Sequence, residues 1–227
     1  MMPRPQRIVI PGWLHHVTQR GNHRQMVFFT RKDRYVYLEL LSKFFTKYDA
    51  RLIGYSLMGN HVHLAVIPEC EISLAKGIGQ LHQDFSRWQN IQTSRVGHLW
   101  QNRFFSCPVE EDRIWDVLAY VEMNPVRAKL VRNAWDWEWS SARAHITGRD
   151  QSGLLDMAYW EKTFCGMEWK EFLKTKAAKD LSYDSIRKAT SAGRFLGNDM
   201  TARWLEIKLG RPILPRKRGP KQRKKVD

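Results

Sequence analysis

Cysteine is scarce in this chain of 227 residues: there are three, Cys70, Cys107 and Cys165, far apart and with no Cys-x-x-Cys pair. An odd, scattered set offers neither a disulfide framework nor a thiolate zinc site, so a reducing compartment is expected. Long apolar runs are missing too. The stretch from Ile8 to Leu14 is interrupted by Pro11 and Gly12, too short for a secretory signal, and nothing approaches the roughly 18 apolar residues of a membrane span. The chain therefore reads as soluble and cytoplasmic, with no membrane partner. Acids are in short supply as well, 23 Asp+Glu against 38 Lys+Arg, giving a net charge of +15. A disordered polycation is excluded, because 43% of the residues are hydrophobic and 12% aromatic; a packed core under a basic surface is implied.

The positive charge is divided between two components. Residues 211–227 hold eight basic residues, among them Arg216, Lys217 and Arg218, and one acid, so this tail carries +7 and the preceding 210 residues +8. With three prolines and no apolar periodicity, the tail reads as a basic disordered segment that meets a polyanion. Since the remainder is basic as well, nucleic acid is the favoured partner over mere solubilisation.

The pattern of the first 125 residues predicts β-α-β-β-α-β-α: strands over 14–20, 51–58, 61–67 and 103–109, and helices over 31–48, 73–92 and from about 110 to 123. Helical spacing of Tyr35, Leu38, Leu41, Phe44 and Phe45 marks the first helix, and Leu74, Ile78, Leu81, Phe85 and Trp88 the second. Gly59-Asn60 between two apolar runs signals a hairpin. An α+β fold follows, a ferredoxin-like antiparallel sheet with helices on one face. The expected organisation is a catalytic domain over 1–145, a small helical accessory region over 150–210, with helices near 159–175, 183–192 and 199–209, and the basic tail over 211–227.

The most informative residues are His61 and His63. On a strand their side chains share a face, about 7 Å apart, while Val62 and Leu64 point into the core. Two imidazoles so placed can share a metal ion, although a half-exposed polar face gives the same pattern. On the helix that follows, Tyr120 and Asn124 are four residues apart and share a face, which could supply a nucleophile and a third metal ligand. Tyr120 also fits as a core tyrosine with its hydroxyl at the edge. Asn124 precedes Pro125 and fits equally well as the N-cap of a new helix. None of the other histidines has a partner at ligand spacing except the adjacent His15 and His16, which a strand would point to opposite faces.

Several ordered motifs then coincide: Met2-Pro3-Arg4-Pro5, the run from Pro11-Gly12-Trp13 through Arg20-Gly21-Asn22, the paired histidines after Leu57-Met58-Gly59-Asn60, Gly97-His98-Leu99-Trp100-Gln101, and Tyr120-Val121-Glu122-Met123-Asn124-Pro125-Val126-Arg127-Ala128. Over residues 2 to about 142 the chain resembles the REP-associated tyrosine transposases, a branch of the His-hydrophobic-His single-strand endonucleases and transposases. Gly193-Arg194-Phe195-Leu196-Gly197 and Leu209-Gly210-Arg211-Pro212 look like the ending of that family. There are two departures. Members often have Pro where Gly59 stands, and the tail reads Arg218-Gly219-Pro220 rather than Arg-Gly-Arg-Pro, which weakens any case for minor-groove reading.

The resemblance implies a transposase that nicks and joins single-stranded DNA at repetitive hairpin elements in the nucleoid. His61, His63 and Asn124 would hold Mg²⁺ or Mn²⁺ on the scissile phosphate, and Tyr120 would attack to form a covalent 5′-phosphotyrosine. Softness of the imidazoles alone would suggest zinc or manganese. Candidate DNA contacts are Arg4, Arg7, Arg20, Arg87 and Arg103 with Arg216, Lys217 and Arg218 of the tail, and Trp88 or Trp100 could stack an unpaired base, although each also suits a core. Monomer and dimer stay open. A non-catalytic hairpin-binding protein and a water-using metal phosphohydrolase are the competing readings.

Overall fold

The structure is a computed structural model in which residues 7–164, 166, 168–177 and 183–214 are described. Four strands, β1 (His15–Arg20), β2 (Ala50–Leu57), β3 (His61–Pro68) and β4 (Phe105–Pro108), form one sheet in the order β2-β3-β1-β4. All three pairings are antiparallel. The crossovers are α1 (Arg31–Lys47) and α2 (Ser73–Thr93), so the expected βαββαβ order and ferredoxin-like topology hold. α1 starts where its sequence says it should: Thr30 and Asp33 form a reciprocal capping box that satisfies the first backbone donors.

Strand alternation sorts the sheet into two faces. Val17, Val62, Leu64 and Val66 point one way, into a cluster with Leu41, Phe45, Leu81 and Phe85 of the two crossover helices. Ala65 and Ile67 point the other way, into a second cluster with α3 (Ile114–Glu122). The two crossover helices thus share one face as expected, and a third helix, with C-terminal elements behind it, covers the other. Exposing Ala65, Ile67 and Ile53 to water would have been costly. Gly54 lets α3 come close: a Cβ there would lie 2.8 Å from Leu118 Cδ2.

α4 (Asn124–Arg127) continues from α3 after one residue, and α5 (Ala142–Thr147) lies behind it. Glu122, fully buried, locks these together. Its carboxylate accepts hydrogen bonds from His145 Nδ1 at 2.5 Å, Ser141 Oγ at 2.6 Å and Trp169 Nε1 at 2.8 Å. The expected helix over 159–175 is two helices, α6 (Met157–Phe164) and α7 (Trp169–Ala177), with Gly166 at φ +77° between them. A left-handed glycine breaks a helix that periodicity alone would join. α8 (Tyr183–Ala192) and α9 (Asp199–Leu209) match expectation. Ile8 and Ile10 pack with Leu205 and Ile213, tying the start of the described chain to its end. No helix of the described residues is long and apolar enough to cross a membrane.

Candidate active site

β3 presents His61 and His63 on the face that α3 covers. In the neighbouring strand Arg20 lies opposite His61, Thr18 opposite His63, and His16 opposite Ala65, diagonal to His63. Diagonal neighbours on one face are within reach of large side chains. His16 Nε2 and His63 Nδ1 are 2.9 Å apart, with ring planes within 6°. Two elements close the arrangement from above. From α3, the Tyr120 ring stands perpendicular to His63 at 5.5 Å and nearly so to His16 at 5.3 Å. From α8, Thr190 Oγ1 lies 2.7 Å from His16 Nδ1.

These side chains line a cleft of about 580 Å³, which Asn124, Arg127 and Thr18 also border. Its size suits a nucleotide-sized ligand. The imidazoles are neutral across the physiological range. Burial pushes His61 down to about 4, with Arg20 and Arg127 adding to the effect, and lowers His63 well below 6.5, with His61 and His16 adding. His61 Nδ1 meets Asn60 Oδ1 at 2.6 Å, a bond in which the imidazole must be the donor because an amide oxygen only accepts. That leaves His61 Nε2 with its lone pair available.

Asn124 is the first residue of α4 and makes no N-cap hydrogen bond there. The N-cap reading gives way to another: Asn124 Nδ2 donates backwards to the carbonyls of Tyr120, at 2.8 Å, and Val121, at 3.3 Å. Pro125 has no N–H for the Val121 carbonyl, and the amide of Asn124 takes its place. The Oδ1 atom accepts from Arg127 at 3.2 Å, and the residue borders the cleft.

Two neutral imidazoles and an amide oxygen are donors that could hold a divalent cation, and nitrogen ligands of this kind suit Mn²⁺ better than Mg²⁺. Among the described residues no group of three or more His, Cys, Asp and Glu converges on one point, so a third protein ligand would be an oxygen of another residue type, and Asn124 is one that borders the cleft.

Arg127 and His16 are the residues that sequence spacing missed. The Arg127 guanidinium lies 4.3 Å over the Tyr120 ring and 5.2 Å from that of Tyr183. Its helical offset, three from Asn124 and seven from Tyr120, was a readable signal. His16 was set aside because partners were sought along the chain, whereas its partner lies across the sheet.

Of the candidate DNA contacts, Arg20 borders the cleft. Arg7 and Arg103 border a second groove, of about 430 Å³, where Arg7 stacks over Phe104 at 3.7 Å; burial and the charge of Arg103 lower Arg7 to about 10. Gln19 borders both cavities. Arg87 stands on α2, across the sheet from the cleft. Trp100 is a core residue, donating Nε1–H to the His82 carbonyl at 3.2 Å, and Trp88 stacks on Phe85. Arg4, Arg216, Lys217 and Arg218 lie outside the described residues.

No curated protein matches the chain. Among solved structures, a REP-associated tyrosine transposase bound to a REP hairpin is similar with a TM-score of 0.54 and 18% identity, over 69% of this chain and 90% of that one. A candidate transposase from Deinococcus radiodurans R1 gives a TM-score of 0.36 and 16% identity, over 57% of this chain and 92% of that one. A model of the IS200-like transposase family matches residues 12–124, from just before β1 to the first residue of α4. This match spans the sheet, both crossover helices and the helix bearing Tyr120, and the chain belongs to the family of IS200-like transposases.

Proposed function

We propose that this transposase cuts and rejoins single-stranded DNA beside a hairpin of repetitive, REP-like type, with Tyr120 as nucleophile. The observation that supports the reading is the meeting of Tyr120, from α3, with His63 and His61, from β3, in one cleft with basic residues at its border. A DNA hairpin is the partner of the structurally similar protein named above, and the basic surface here suits such a polyanion.

In this mechanism Arg20 and Arg127 draw the phosphate backbone into the cleft. His61, His63 and Asn124 would hold a divalent cation, Mg²⁺ or Mn²⁺, and such a cation would supply positive charge to the phosphoryl transition state. The Tyr120 phenol loses its proton to solvent and its oxygen attacks phosphorus. The Tyr120 O–P bond forms as the P–O3′ bond breaks, and the 3′ oxygen takes up a proton. The 5′ end is then held as a phosphotyrosine, and attack by another 3′-hydroxyl restores a phosphodiester without an external energy source. A phenolate leaves more readily than an alkoxide, so the linkage is reversible. The catalytic function is assigned to residues 1–145.

The test uses hairpin DNA labelled on the 3′ side of the nick, incubated with Mg²⁺ or Mn²⁺ and run on a denaturing protein gel. The expected result is a labelled adduct that disappears in chelator and in Tyr120→Phe, while hairpin binding survives. An undiminished adduct in Tyr120→Phe overturns the nucleophile. Cleavage without an adduct would mark water as the attacking group, and salt-sensitive binding without cleavage would mark a binding protein.

A further inference from the structure

Beyond the matched family segment, α8 lines the cleft with Arg187, Thr190 and Ser191, and the Thr190 hydroxyl bonds to His16. Thr190, on α8, is 2% exposed and sits behind His16, which in turn sits behind His63. Two hydrogen-bonding directions are open to this row. In one, His16 Nε2–H donates to His63 Nδ1, which forces the proton of neutral His63 onto Nε2 and removes that atom as a ligand. In the other, His63 Nδ1–H donates to His16 Nε2, and His16 Nδ1–H donates to Thr190 Oγ1. Only the second leaves the His63 Nε2 lone pair for a cation.

We propose that Thr190 and His16 are positioning residues that hold His63 in the tautomer and orientation competent to bind the divalent cation, so that the C-terminal helical region completes the site. This rests on the metal-binding reading given above. A ring nitrogen that bonds a metal is oriented by the partner of the other ring nitrogen, and loss of such partners typically weakens metal affinity by ~10–100-fold. A carboxylate or backbone carbonyl is the usual partner. Here a second imidazole does the work, and a hydroxyl able to accept from its far nitrogen lies 2.7 Å away. Thr190 also meets the thiol of Cys107, the β4 residue paired with His16, which gives the hydroxyl proton somewhere to point.

The test is Mn²⁺ binding to the full chain, followed by the electron paramagnetic resonance of free Mn²⁺ without DNA, with thermal melting as the check on folding. Thr190→Val keeps the shape and removes the acceptor, and is expected to weaken Mn²⁺ binding by ~10-fold. Thr190→Ser keeps the hydroxyl and is expected to bind within about twofold of the unmodified protein, a rescue that a packing role would not produce. His16→Leu is expected to match Thr190→Val. If Thr190→Val binds Mn²⁺ normally while His63→Ala loses it, the positioning role is overturned and the metal site stands. If His63→Ala binds Mn²⁺ normally, the metal reading falls and takes this inference with it.

Discussion

The two faces of the sheet are built from the same strands and treat polarity in opposite ways. Toward α1 and α2 the strands offer Val17, Val62, Leu64 and Val66, and the cluster is closed with Phe28, Phe44, Phe45 and Phe85. Toward α3 and α8 the same two strands offer His16, Thr18, His61 and His63, and part of the space above them is left open as a cleft. One face supplies stability and the other gives some of it up, since burying three imidazoles costs solvation that apolar residues would not forfeit. The lesson is that a period-two strand lets one sequence carry both tasks without either disturbing the other.

Exchanging damage between the faces should break this comparison most strongly. Phe85→Ala on the closed face is expected to cost about 3–5 kcal/mol, as is usual for a large aromatic removed from a packed core, which a urea titration would measure. Tyr120→Phe on the open face should shift stability by less than ~1 kcal/mol while abolishing the covalent adduct. An adduct-forming Tyr120→Phe, or a Phe85→Ala protein as stable as its parent, would erase the distinction.

Acid should sharpen it next. His16 and His61 are lowered to about 3 and about 4, His63 well below 6.5, and, buried elsewhere in the fold, His15 and His82 to about 4 and about 3, burial being the main cause in each. The unfolded chain takes up protons on these groups first, near pH 6.5, and the folded chain only near 4 or below. Stability is therefore independent of these groups above about pH 7 and falls as pH drops from 6.5 toward 4, by up to ~1.4 kcal/mol per pH unit for each histidine. Urea midpoints at pH 8, 6 and 5 in metal-free buffer would reveal it; a flat profile would mean that the imidazoles are solvated.

The smallest expected effect separates the arginines. Arg20→Ala at the cleft border should weaken hairpin binding and reduce the salt slope by about 1. Arg87→Ala, on α2 with Asp84 at 3.8 Å, should leave both within error. Equal effects would mean that DNA also follows the closed face.

Much of this was legible in the sequence because it depends on local spacing. The hairpin at Gly59-Asn60, the shared face of His61 and His63, and the four-residue offset of Tyr120 and Asn124 all follow from periods of 2 and 3.6. What escaped depends on register between segments far apart in the chain. His16 meets His63 because β1 pairs antiparallel with β3 in one of several possible alignments, and Thr190 meets His16 across 174 residues. The covering of the second face by α3 was hidden for the same reason: its apolar stripe was visible, its destination was not. Asn124 escaped more subtly, because its two functional ends do different things, the nitrogen serving the backbone and the oxygen accepting from Arg127.

His15 and His16 are chemically identical neighbours with unrelated duties. His15 faces away from the cleft, its Nδ1 bonded to the Trp13 carbonyl at 2.9 Å and its Nε2 receiving the Ile10 amide at 3.2 Å. Substituting either residue harms one duty and spares the other. A one-residue insertion or deletion within β1 is different: it slides the strand, turns every side chain to the opposite face, and exchanges the two imidazoles. Composition, charge and hydropathy would barely change, yet both duties would end together. This strand should therefore tolerate changes of identity at its outer positions far better than any change of length.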